Sequence, residues 1–275
     1  MKKILLFSSL SIIFVLVFVS IFANYIAPFT PDEINLSNKF AQISSTHLLG
    51  TDHLGRDVLS RLIYGARISL GAVFVTLFLI LSFGFLVGAV AGFVGGKTDQ
   101  VLMRICDVFF ALPTIVLSLF LVGILGTGLV NVIIAIAITH WAWYARIIRS
   151  VVLNLKNKEY VMISKISGAS GFKNFTQNML YPIIAQCIIV ASLDIGHIML
   201  HISGLSFLGL GVKAPEAEWG IMISDAKEFL FTAPELIYYP GFALFLAVMS
   251  FNVLGDYLRD KLGNKAILKD ENVQP

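Results

Sequence analysis

The chain has 275 residues, 57% of them hydrophobic and 13% charged, with a net charge of +3. Soluble domains average about half apolar and roughly a quarter charged, so a mean hydropathy of +0.85 excludes an ordinary water-soluble domain and calls for lipid as the solvent. The small basic excess belongs to loop lysines and arginines and excludes a nucleic-acid surface. Cys106 and Cys187 have neither metal-ligand spacing nor a disulfide framework, which leaves them to packing.

Six apolar stretches, about 4–23, 69–93, 105–124, 129–145, 183–203 and 240–258, predict an all-α integral membrane protein of six transmembrane helices. The first follows Lys2 and Lys3, but it outruns a signal-peptide core, and Ser20-Ile21-Phe22-Ala23 is a poor cleavage site. It is therefore expected to stay as a helix, and with a long outer segment it makes up residues 1–68. The second helix carries Gly84, Gly88 and Gly92 at a spacing of four, a small-residue stripe that lets another helix approach closely. The spacing does not say whether that neighbour belongs to this chain. At its end, Ala91-Gly-Phe-Val-Gly-Gly96-Lys97-Thr98 nearly spells a phosphate-binding loop. Such a loop needs a strand before it, and here a lipid-embedded helix precedes it. The third and fourth helices follow, the fourth containing His140-Trp-Ala-Trp143. An inner loop at 146–182 leads to the fifth, which holds Asp194, His197 and His201. An outer loop at 204–239 and the sixth helix complete a five-helix core over 69–258, and residues 259–275 form a tail.

Orientation follows from the basic residues. With the N-terminus inside, 14 of the 20 lysines and arginines fall on the inner segments and 6 on the outer ones, so both termini are expected to be cytoplasmic. No H-E-x-x-H, nucleophile elbow or Cys/His cluster occurs, which points to movement or anchoring and away from catalysis.

The inner loop reads as two short amphipathic helices, with Val161, Ile163, Ile166, Phe172 and Phe175 on an apolar side and Gly168 and Gly171 at a bend. It could rest on lipid or dock a soluble partner. Gly50-Thr-Asp52-His-Leu-Gly-Arg56-Asp57, Gly95-Gly96 with Asp99, Asp107 and Pro113, Tyr144-Ala-Arg146, and Ser206-Phe-Leu-Gly-Leu-Gly-Val212 with Trp219-Gly220 occur in order along 26–258. In these the chain resembles the permeases of bacterial nickel and peptide ABC importers. The resemblance implies an ABC importer permease fold in the bacterial inner membrane, and a coupling loop for the ATPase at Glu159, Met162, Ile163, Ser164, Gly168 and Ala169. It also implies an outer surface toward a binding protein near Asp52, Arg56, Asp57 and Trp219. Its implied partners are a second permease subunit, two ATPase subunits and an extracytoplasmic solute-binding protein. This chain itself would bind no cofactor, ATP being used by the partners.

Asp194, His197 and His201 are offset by three and seven residues and so share a helical face. A carboxylate at mid-bilayer costs about 2.5–3.5 kcal/mol, so it should face a partner or a water-filled path. Imidazole and carboxylate also suit nickel and related ions. The expected translocation path is therefore Asp194, His197, His201, His140 and Trp141, with transient metal contact at His197 and His201 and no tight site. The alternative is that Asp194 is satisfied by His197 or by a neighbouring helix. The runs around Asp194 and His140 resemble the nickel and metal–metallophore branch. Di- or oligopeptide cargo is the second reading, and an ion-coupled secondary transporter a third.

Overall fold

The computed structural model describes residues 2–213 and 215–271, and among them no strand forms. The helices are α1 (Lys2–Ile21), α2 (Ala23–Ile26), α3 (Val58–Val94), α4 (Gly96–Phe110), α5 (Thr114–Leu125), α6 (Leu129–Lys156), α7 (Glu159–Ile166), α8 (Gly171–Asn174), α9 (Leu180–Phe207), α10 (Trp219–Ala226) and α11 (Glu235–Glu271). Of the expected tail, residues 272–275 lie outside the described residues. The chain sorts into two compact units. One holds the chain up to Thr76 with Ser118–Ile136 and Ile195–Leu254; the other holds Leu77–Leu117, Ala137–Asp194 and the chain from Gly255.

Among the described residues, five helical stretches are long and apolar enough to cross a membrane. They correspond to the predicted first, second, fourth, fifth and sixth spans. The predicted third span, 105–124, is not one helix: α4 and α5 pass the same test only as a pair, bent by 84°. The cause is Pro113. It lacks an N–H and pushes Leu112 out of the helical region, so α4 stops at Phe110 and α5 restarts at Thr114. Two other spans run further than hydropathy suggests. Helix α3 begins at Val58, about 16 Å before the predicted start at 69, and α6 continues to Lys156, which shortens the inner loop.

The glycine stripe of α3 meets α6 of the same chain. A Cβ on Gly84 would lie 2.6 Å from Tyr144 Cβ, one on Gly88 2.4 Å from the Ala145 carbonyl oxygen, and one on Gly92 2.8 Å from Val152 Cβ. At the inner end of this seam, Lys156 Nζ donates to the Phe93 carbonyl at 2.9 Å and covers an otherwise open helix end. The near-phosphate loop lies here too. Residues up to Val94 are helical, so the strand that a nucleotide loop requires is missing.

The second of the two predicted loop helices does not stay separate. From Gly171 to Phe207 the chain runs on as one helical stretch of 37 residues through a π turn at Phe175–Met179. Pro182 would otherwise press its ring on the carbonyl four residues back. The wider turn, in which Leu180 N–H donates to the Phe175 carbonyl, relieves that contact.

Candidate functional site

Within the long apolar helix α9 stands a buried carboxylate, Asp194. It is 3% exposed, and one carboxylate oxygen, Oδ2, serves two groups on α6. His140 Nε2 lies 3.0 Å from it, and the Tyr144 hydroxyl donates to it at 2.9 Å. His140 and Tyr144 are four residues apart, one above the other on the same helical face, which is why both reach a single oxygen. Two partners of Asp194 thus come from a neighbouring helix. On the following turns of α9, His197 is exposed and His201 is half-buried.

Trp141 and Trp143 point to different sides of α6, as residues two apart must. Trp141 is buried with Cys106, Ala142 and Ala145, its ring set edge-on to Phe83 and Phe109. It is a packing residue, whereas the sequence placed it along the path. Trp143 instead joins His140 and Thr139 on a cavity of about 380 Å³ formed where α4 breaks from α5. Among the described residues no cluster of three or more His, Cys, Asp or Glu could hold a metal ion.

Helix α7 ends in a turn where Gly168 adopts φ +89°, a conformation that side chains resist. Two asparagines with no sequence signal of their own hold this turn. Asn174 Nδ2 donates to the Val161 carbonyl at 2.9 Å, and Asn178 Nδ2 donates to Ser164 Oγ at 3.1 Å. Val161 turns inward, while Glu159, Met162, Ile163, Ile166, Gly168 and Phe172 are exposed, and Ser164 and Ala169 are half-buried. Ile166 is 86% exposed. Two ion pairs, Asp99–Arg149 and Asp107–Arg146, join α4 to α6.

The segment between α2 and α3 folds around buried charge. Asp52 Oδ1 accepts from Leu54 N and Arg56 N, and its other oxygen pairs with Arg56 Nε at 2.6 Å. Asp57 caps α3 by accepting from Ser60 N at 2.8 Å, and its second oxygen lies 3.0 Å from His47 Nδ1. Arg61 donates to the carbonyls of Pro31 and Pro215. Glu218, fully buried, caps α10 through Ile221 N and accepts from Ser69 and Ser203. Burial, above all, pulls His53 below the usual imidazole range. Asp52, Arg56, Asp57 and Trp219 are thus interior. They fix the shape of this outer part, and the surface presented to solvent is made by other residues. Gly65 makes room for the Trp219 ring: a Cβ there would sit 2.7 Å from Cδ1.

Long apolar helices with a buried, hydrogen-bonded carboxylate define a multi-pass membrane protein. Residues 84–267 match the family described as binding-protein-dependent transport system inner membrane component, and the chain belongs to it. It is a permease subunit of an importer in the inner membrane, which sets the secondary-transporter reading aside. It is 48% identical to the nickel transport system permease protein NikC of Escherichia coli K12, over 92% of each chain. It is 41% identical to the metal-staphylopine import system permease protein CntC of Staphylococcus aureus Mu50, over 96% of this chain and 91% of the other. A dipeptide transport system permease protein DppC of Alkalihalophilus pseudofirmus is 40% identical over 90% of this chain and 82% of its own.

Proposed function

We propose that this chain forms half of the translocation path of an ABC importer for nickel or another divalent metal, carried free or in a chelate. The observation that carries this reading is the buried Asp194 carboxylate, held by His140 and Tyr144 where lipid would otherwise surround it. A carboxylate kept at that depth gives a passing cation a polar partner, and the imidazole beside it suits the same ions. His197 and His201, further along the same helix, extend this donor set. Contacts of this kind should be weak, because tight coordination would hold the ion where transport requires release.

In this reading six spans cross the membrane, the bent α4–α5 pair counting as one, and both termini are cytoplasmic. The exposed apolar turn around Gly168 docks into an ATPase subunit. Two such ATPases hydrolyse ATP, a second permease subunit completes the path, and an extracytoplasmic protein delivers the cargo. The names of the nickel and metal-staphylopine relatives favour metal. The dipeptide relative at 40% identity supports a second reading, peptide cargo.

The test is ATP-dependent uptake by the complete importer in proteoliposomes. Accumulation of radioactive nickel, lost when the binding protein or ATP is omitted, is the expected result. Uptake of a labelled dipeptide with no metal uptake in any form would select the second reading.

A further inference from the structure

We propose that the cavity at the α4–α5 break is a cargo subsite and that Trp143 is its specificity-determining wall, shaped for a metal held in a small anionic organic chelator. The proposal rests on the metal reading above and adds to it where the cargo is read and in what form. Three observations converge. The first is size. The cavity holds about 380 Å³, which falls in the range of pockets for small organic ligands.

The second is the wall. Phe109, Phe110, Pro113 and Trp143 supply apolar and aromatic surface, and Thr139 and His140 supply the few polar groups. The Trp143 ring lies 5.6 Å from that of His140, centroid to centroid, and is 38% exposed, so it is open to a visitor. The pairing of His140 with Asp194 fixes the imidazole beside it. Aromatic faces with one oriented imidazole are poor hosts for a naked dication and good ones for the carbon frame of a chelate.

The third is charge. Arg146 lies 4.2 Å over the ring of Phe110, which lines the cavity, and pairs with Asp107; Asp107 also lies 3.9 Å from Arg104. The Arg146 guanidinium thus stands beside the cavity wall. It offers the carboxylates of a metal chelate a cationic partner and gives a free divalent cation none.

The experiment uses the complete importer in proteoliposomes, with radioactive nickel supplied either as the aqua ion or as its nitrilotriacetate complex. Trp143→Ala should lower uptake of the complex about tenfold relative to wild type, a difference of about 1.4 kcal/mol. Trp143→Phe should restore most of it. Arg104→Glu, which adds a second acidic group beside Asp107, should also depress uptake of the complex. Tryptophan emission gives a second readout that does not depend on the alanine variant folding. The complex should quench wild type and Trp141→Phe alike, and Trp143→Phe much less. Wild-type uptake of the complex in Trp143→Ala, an equal fall for aqua ion and complex, or co-purified lipid filling the site with uptake unchanged would each overturn the proposal while leaving the metal reading in place. A wild-type importer that carries neither form of nickel but carries a dipeptide would overturn the metal reading, and the proposal with it.

Discussion

At the scale of single residues, Asp194 separates a structural from a transport role because one of its oxygens satisfies two groups. Asp194→Leu removes the acceptor of both. Each stranded donor costs about 1–3 kcal/mol, so the variant should show poor membrane yield and a lowered melting temperature in detergent. Asp194→Asn keeps a carbonyl oxygen for the Tyr144 hydroxyl but removes the charge. It should assemble normally and lose nickel uptake; normal uptake would confine Asp194 to packing. Glu218 makes a contrasting case in the outer frame, where a buried carboxylate caps a helix and accepts from two serines. Glu218→Leu strands the Ile221 N–H and two serine hydroxyls, at about 1–3 kcal/mol for each stranded donor, and should prevent accumulation of the chain in the membrane. The polar spacing of Asp194 was legible in the sequence. Its partners were not, since they lie 54 and 50 residues away and only the packing of α6 on α9 selects them.

At the scale of elements, the inner turn combines a left-handed glycine with two asparagine clamps. Gly168 has open space around it, so the obstacle to substitution there is its φ and not a clash. Gly168→Asp should therefore insert and fold but fail to associate with the ATPase, as read by co-purification. An importer that pulls down its ATPase and transports normally with this substitution would reduce the turn to an interfacial support. Asn174→Leu should loosen the same turn by stranding the Val161 carbonyl, and co-purification should weaken without being lost. Apolar runs in the sequence were enough to find this turn and most of the long helices. The runs misjudged the third, because hydropathy outweighed the one residue that decides it, Pro113. The two tryptophans of α6 show the same limit. Either could line a path by composition, and the twist of the helix assigns Trp141 to the core and Trp143 to the cavity.

For the whole molecule, the bias of lysine and arginine makes a firm expectation about sidedness. Single cysteines at Lys39 and Glu216, both exposed positions, should react with a membrane-impermeant thiol reagent added outside. Cysteines at Lys158 and Lys265 should react only after permeabilisation. Outside labelling at Lys158 would reverse the orientation and remove the inner turn from the ATPase side. The outer signature around Asp52 was also recognisable in the sequence. Its burial was not, because a run of charged residues in a loop ordinarily signals solvent, and here they are drawn inward by mutual pairing.

The seam between α3 and α6 has a consequence for how the gene can change. Gly84, Gly88 and Gly92 have no spare space at the Cβ position, and every missense change from glycine enlarges the residue. A backbone oxygen, unlike the tip of a side chain, cannot swing aside, so Gly88 is the strictest of the three. Gly88→Leu should cost about 1–3 kcal/mol from overpacking alone and reduce the amount of chain recovered from membranes. In a library of random variants selected for uptake, these three codons should come back almost unchanged. A rare survivor should carry a second substitution opposite, a smaller residue at Ile148 or Val152, as the mark of two helices that can only drift in step.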